Sequence, residues 1–190
     1  HLCLEKCLFF RSSMEYLGFY AISENGSTPN GIRPAPKNVE KILSVVIKAV
    51  KELRSFYGMC LFYKRFIFQF SNNTVVIRSY LKKGAKIPKP LPAPLTIEID
   101  YLKKTLTKEP ILKNPDIRLK FYLYVDASLE GLGAVLFQKH EGKLHPCYYW
   151  STSPTKTMLK YSSDMLELIA SVWGILYFKK YLRYQKFTLC

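Results

Sequence analysis

Acidic residues are scarce. Asp and Glu number 14 against 29 Lys and Arg in 190 residues, a formal net charge of +15. Long apolar runs are missing too. The longest, Ile169 to Phe178, is about half the roughly 20 residues that a membrane-spanning helix needs. No charged, apolar and small-residue succession of a secretory leader opens the chain, and its first residue is His1, not Met. We therefore expect a segment of a longer polypeptide, cytoplasmic or nuclear, neither secreted nor membrane-bound. Cysteine is sparse and odd in number: Cys3, Cys7, Cys60, Cys147 and Cys190, with no C-x-x-C. That argues against a disulfide scaffold. Cys3 and Cys7 could share a helical face, but no Cys or His pair follows at zinc spacing, and His140 and His145 stand alone. Free thiols in a reducing compartment are expected.

What is present is globular. Hydrophobic residues make up 48% and charged residues 23%, enough for one large domain or two small ones. So basic a chain is expected to meet a polyanion. The charge is uneven, with a net +10 in residues 1–95 and +5 in residues 96–190. The first half holds most of that attraction.

Met14 to Ile22 is rich in aromatic and β-branched residues, and Glu24-Asn25-Gly26 signals a turn. Thr28 to Pro36, with three prolines and a glycine, reads as a connector. From Lys37 to about Phe70 the period is helical: Val39, Ile42, Leu43, Val46 and Ile47 recur at three- and four-residue steps, and Leu53, Phe56 and Tyr57 continue the stripe. Ile87 to Pro94 carries proline at every second position. Such a stretch is an extended linker between two units. A short helix over about 97–106 follows. Leu119 to Val125, Leu132 to Lys139 and Leu144 to Trp150 are strand-like, and their short joins predict an antiparallel meander. Ser162-Ser163-Asp164 starts a helix running to about Tyr181, with Leu166, Ile169, Ala170, Trp173, Leu176 and Tyr177 as its buried stripe. Gln185 to Cys190 begins another strand.

Three stretches resemble one family in order. Val50-Lys-Glu-Leu-Arg-Ser-Phe-Tyr-Gly-Met-Cys-Leu-Phe-Tyr-Lys-Arg-Phe-Ile67 resembles the thumb of reverse transcriptases from gypsy-type LTR retrotransposons. Asp126-Ala-Ser-x-x-Gly-x-Gly-Ala-Val-Leu-x-Gln138 resembles the opening of the ribonuclease H domain in the same Pol polyproteins. Tyr161-Ser-x-x-x-x-Glu-Leu-Ile-Ala-x-Val-Trp173 resembles that domain's first helix. Upstream, Glu5-Lys-Cys-x-Phe-Phe-Arg and Glu15-Tyr-Leu-Gly look like the end of the polymerase palm with its primer-gripping hairpin. Residues 45–49 lack the family's usual break before the thumb helix, so two helices are expected to run together.

The resemblance implies an α+β fold. A palm end over 1–30 and a helical thumb over 31–87 lead through a Pro-rich linker or connection over 88–118. A truncated RNase H-like unit over 119–190 then comprises a three-stranded antiparallel meander plus a helix. It implies that the parent copies RNA into DNA and hydrolyses the RNA of the hybrid, using two magnesium ions held by carboxylates. By resemblance Asp126 and Glu167 are catalytic metal ligands, while Asp164 is a helix cap. Tyr16, Leu17 and Gly18 would place the primer end, and Lys51, Arg54, Lys64 and Arg65 would contact phosphates of a template–primer duplex or RNA–DNA hybrid. The family's third and fourth carboxylates fall beyond Cys190 and its polymerase aspartates before His1, so this polypeptide alone, without the rest of the polyprotein, is expected to be catalytically silent and to hold magnesium weakly. Three readings stay open: an internal piece of the enzyme, a non-catalytic basic nucleic-acid-binding remnant, and an interaction protein using an exposed sheet edge.

Overall fold

Tyr16 and Phe19 close a two-residue hairpin between β1 (Ser13–Tyr16) and β2 (Phe19–Ile22) in the computed structural model, which describes residues 13–23, 31–108 and 111–190. The expected turn at 24–26, the Cys3/Cys7 pair and the palm-like stretch 5–11 lie outside the described residues. Leu17 and Gly18 form the hairpin tip at φ +48° and +80°. That left-handed pair matches the twist of the flanking strands. Gly18 adopts it freely, whereas Leu17 is held there at roughly 1–2 kcal/mol.

The expected connector before Pro36 contains a strand instead. β3 (Gly31–Pro34) pairs antiparallel with β2 and with the short β4 (Leu112–Lys113). Pro34 ends the strand, so its missing N–H breaks no inner rung.

The long helical run is also divided. α1 (Pro36–Ser44) and α2 (Val50–Phe62) are separate. Val45 is extended at ψ 122°, as is Ala49 at φ −149°. The β-branched Val45-Val46-Ile47 favours that geometry, and Lys103 Nζ fixes it by donating to the carbonyls of Leu43 and Val45 at 2.9 and 3.0 Å. The Glu52 carboxylate accepts the Ala49 N–H at 2.9 Å and caps α2. Instead of continuing to Phe70, the chain passes through 3-10 turns at Lys64–Phe66 and Asn72–Thr74 into α3 (Val75–Tyr80). The Glu98 carboxylate accepts the N–H groups of Val76 and Ile77 at 2.9 and 2.8 Å.

α4 (Ala93–Thr107) starts four residues before the expected helix. Pro92 and Pro94 fit its opening turn, where amide donors have no helical partner. Its Leu95, Ile99, Leu102 and Leu106 join Ile42, Leu53, Phe56 and Ile77 in one core. The helix after the Pro-rich stretch thus packs back onto the helices before it.

The second sheet is the expected meander with one strand added. β5 (Phe121–Ala127), β6 (Leu132–His140) and β7 (Lys143–Thr152) are antiparallel neighbours, and β8 (Phe187–Leu189) runs parallel to β5 on its other side. α5 (Ser163–Tyr177) starts where expected, Ser162 Oγ accepting the Met165 N–H at 3.4 Å. Its buried line is narrower than expected: Leu166, Ala170 and Gly174, while Leu176 and Tyr177 are 61% and 42% exposed. A Cβ on Gly174 would stand 3.1 Å from the Ala134 Cβ, so the helix backbone lies close on the sheet. The helix also stops at Tyr177, and buried Phe178 turns the chain into α6 (Lys179–Leu182).

Candidate nucleic-acid interface and carboxylate site

α2 buries Leu53, Phe56 and Cys60 and leaves Lys51, Arg54, Gly58, Leu61 and Phe62 exposed. At three- and four-residue steps, these exposed positions form a stripe along the solvent side of the helix. The stripe ends at the hairpin. The Phe62 and Phe19 rings stack at 5.1 Å, and the Gly18 carbonyl accepts from Tyr63 Oη at 2.8 Å and from the Ala35 N–H at 3.0 Å. Asn38 Nδ2 in turn donates to Tyr63 Oη at 3.0 Å. Burial raises the Tyr63 pKa, and the hydrogen bond from Asn38 opposes it. Tyr16 and Leu17, 64% and 71% exposed, stand out at the tip. By helix rise Lys51 lies roughly 16 Å from Phe62, so the basic residues and the tip bound one continuous surface.

Arg65 differs from the other basic residues singled out in the sequence. It is half-buried, and its guanidinium lies 4.4 Å from the centre of the Tyr148 ring on β7. One face of its charge is engaged between the two regions. Lys64 beside it is half-buried.

On β5 the side chains alternate. Leu123 and Val125 lie near Gly174 of α5, so Tyr124 and Asp126 turn to the opposite face. Both Asp126 and Glu167 are exposed, on adjacent elements. No described hydrogen bond or ion pair joins them, and Asp126 Oδ2 instead accepts from Gln69 Nε2. Beside Asp126 a cavity of about 650 Å³ opens between Phe68, Gln69, Tyr124, Val135 and Phe137. Hard carboxylate oxygens are the donors magnesium prefers. Yet among the described residues no three His, Cys, Asp or Glu gather in one place. Asp126 is turned from α5 and bonded to the Gln69 amide.

Sequence reasoning missed Gln69, Asn72 and Tyr63, and gave Gln138 no role beyond the motif. Gln138 is fully buried: Nε2 donates to the carbonyls of Asp116 and Leu119 at 2.6 and 3.0 Å, and Oε1 accepts the Asp116 N–H at 2.8 Å. It anchors the loop that enters β5. A lone amide in the apolar runs Phe68-Gln-Phe70 and Leu136-Phe-Gln138 was the available signal.

A family model described as an RNase H-like domain found in reverse transcriptase matches residues 95–189. The chain is 34% identical over 195 residues to the retrovirus-related Pol polyprotein from transposon 297 of Drosophila melanogaster, covering 99% of this chain and 17% of that protein. It is 34% identical over 179 residues to the transposon Tf2-3 polyprotein of Schizosaccharomyces pombe, covering 93% of this chain and 13% of the polyprotein. The chain thus spans less than a fifth of the length of these curated relatives. A foamy viral protease–reverse transcriptase in complex with RNA/DNA hybrid shares the fold, with TM-score 0.75 and 20% identity over 98% of this chain and 24% of that one. The same viral protein in complex with double-stranded DNA gives TM-score 0.73 at 19% identity, over 94% of this chain and 36% of the other. Among the described residues no helix is long and apolar enough to cross a membrane. With its second half matched by the family model and nearly all of its length aligned to transposon polyproteins, this chain belongs to the reverse-transcriptase RNase H-like family, as a segment of a retrotransposon Pol polyprotein.

Proposed function

We propose that this segment holds a template–primer duplex or RNA–DNA hybrid against α2 and the Leu17–Gly18 tip, on behalf of a polyprotein that copies RNA into DNA and degrades the hybrid's RNA strand. One observation carries the reading: the exposed stripe of Lys51 and Arg54 leads along α2 to a hairpin tip whose backbone is fixed by Tyr63. Phosphate contacts by Lys51, Arg54 and Lys64 give affinity without sequence information. Arg65 takes a smaller share, because its guanidinium stacks on Tyr148. Exposed Tyr16 and Leu17, with Gly18 below them, would abut the end of the primer strand. Leu17 keeps a left-handed backbone that the surroundings enforce, as is common at functional turns. The solved relatives that share this fold are complexes with double-stranded DNA and with RNA/DNA hybrid, which supports the same partner class. Other parts of the polyprotein are proposed partners, and a cytoplasmic or nuclear setting the proposed location.

RNase H-like reverse transcriptases are generally metal-dependent, and magnesium is the ion we propose for the parent enzyme, with Asp126 and Glu167 among its ligands. In the arrangement described, Asp126 is bonded to Gln69 and faces away from α5, so we propose that the chain by itself does not cleave.

Fluorescence-anisotropy titration of a labelled hybrid tests the binding. Log K should fall linearly with log salt at a slope of about −3 for three to four phosphate contacts, and Lys51→Gln should reduce the slope by about one. A response flat in salt overturns the duplex reading. Magnesium-dependent hybrid cleavage above background by the isolated chain overturns the silent reading.

A further inference from the structure

The motif that opens the RNase H-like unit is met, residue by residue, by one segment of the first region. Gln69 Nε2 donates to Asp126. Asn72 Nδ2 donates to Ser128 Oγ at 3.1 Å. A Cβ on Gly131 would stand 1.8 Å from Asn72 Oδ1, a separation no real contact allows. Gly133, the cross-strand partner of Asp126, leaves bare backbone under Gln69, whose Cγ is 3.8 Å from where a Cβ would be. The segment is held at its far side as well. The Ser71 N–H donates to Ser151 Oγ at 3.1 Å, and Arg78 bonds the Ser71 carbonyl at 2.8 Å and Ser153 Oγ. Gln69 itself sits at φ +46°, a conformation a non-glycine residue keeps only when its surroundings impose it.

We propose that Gln69–Asn72 is an intramolecular latch whose seat is Asp126, Ser128, Gly131 and Gly133, and that it withholds the Asp126 carboxylate from divalent cations until the segment lifts. Gly131 serves to admit the latch, since a Cβ there would collide with Asn72, whereas one on Gly133 would make only an ordinary van der Waals contact with Gln69. The amide of Gln69 satisfies one carboxylate oxygen and orients the group on the sheet face that α5 does not cover. A hard cation has to displace that donor and gather its other ligands elsewhere. The inference rests on the reading of Asp126 as a cation ligand.

Manganese serves as the probe on the full chain labelled with nitrogen-15, read as paramagnetic broadening of the amides of residues 126 and 133. Hydrogen exchange of the Ser71 amide is measured in parallel. Gln69→Ala should bind manganese about tenfold more tightly than the parent chain, the size expected for removing a hydrogen bond to a charged group. Gly131→Ala should act alike by excluding Asn72, and should speed Ser71 exchange by about tenfold. Adding Asn72→Ala to Gly131→Ala should return exchange towards the parent value, which distinguishes undocking from damage to the fold. Asp126→Asn should abolish the broadening in the Gln69→Ala background. Equal manganese affinity in the parent and Gln69→Ala overturns the latch and leaves Asp126 a ligand. Released Ser71 exchange with no broadening at residue 126 in any variant overturns the ligand reading and the latch with it.

Discussion

The helical region and the second sheet bury their apolar residues differently. α1 to α4 share one continuous core running from Ile42 through Phe56 and Ile77 to Leu112. The second sheet, covered by α5 on one face, divides its buried residues between a cluster around Phe121 and Phe178 and a smaller one around Leu132 and Ala170. Its other face carries Tyr124 and Phe137, in edge contact at 5.3 Å, beside the cavity. The first region is therefore stabilised mainly by its own core. The second leans on strand pairing, on buried polar groups such as Gln138, and on the segment that seats against it. Each region also leans on the other, Tyr149 of β7 packing against the first core and Gln69 and Asn72 bonding to the second sheet.

The comparison can be broken most directly at Phe56. Fully buried in the single core, its replacement by Ala should cost about 3–5 kcal/mol, read from the urea midpoint. A loss below about 1 kcal/mol would mean that the core is not continuous. Next comes Gln138→Leu. It leaves the Asp116 N–H and the Leu119 carbonyl without their Gln138 partner, while the Asp116 carbonyl keeps the Leu119 N–H, for a cost of about 1–3 kcal/mol. Circular dichroism melting should show that loss in the strand signal, and an unchanged melt would show that the loop does not depend on the amide. A finer comparison uses one buried thiol from each region. Burial pushes Cys60 and Cys147 up to about 12 from an ordinary 9.0. Such thiols stabilise the fold fully below pH about 9, where both states are protonated. Stability should then fall as pH rises from about 9 towards 12, since the unfolded chain loses these protons first. Replacing either cysteine by Ala should flatten that fall in denaturant melts; an identical pH dependence would show that the thiols do not drive it. Iodoacetamide should modify exposed Cys190 well before Cys60 or Cys147.

Where the sequence reading succeeded, the signal was local. The β5–β6–β7 meander follows from alternation and short joins, and α5 from its Ser162 cap and apolar stripe. The choice of Asp126 and Glu167 rested on the motif, whereas the contact of Asp126 with Gln69 had no local signal. Local signals also misled. The helical period from Lys37 to Phe70 is real, but Val45-Val46-Ile47 is β-branched and Lys103, from a distant helix, draws the carbonyls there out of helical geometry. β3 was unreadable because its partners are an adjacent hairpin strand and β4, about eighty residues on.

Charge balance, the strand and helix periods, the Asp126–Gln138 motif and the basic stripe of α2 were all determined by the sequence alone, since each depends on residues within a turn or two of one another. Tertiary structure alone decided that Arg65 stacks on Tyr148, that Gly18 hangs from Tyr63, and that Gln69 and Asn72 sit on the motif. Those contacts join residues 45 to 83 positions apart. No periodicity or propensity reaches that far; only packing of the two regions brings such groups within hydrogen-bond range.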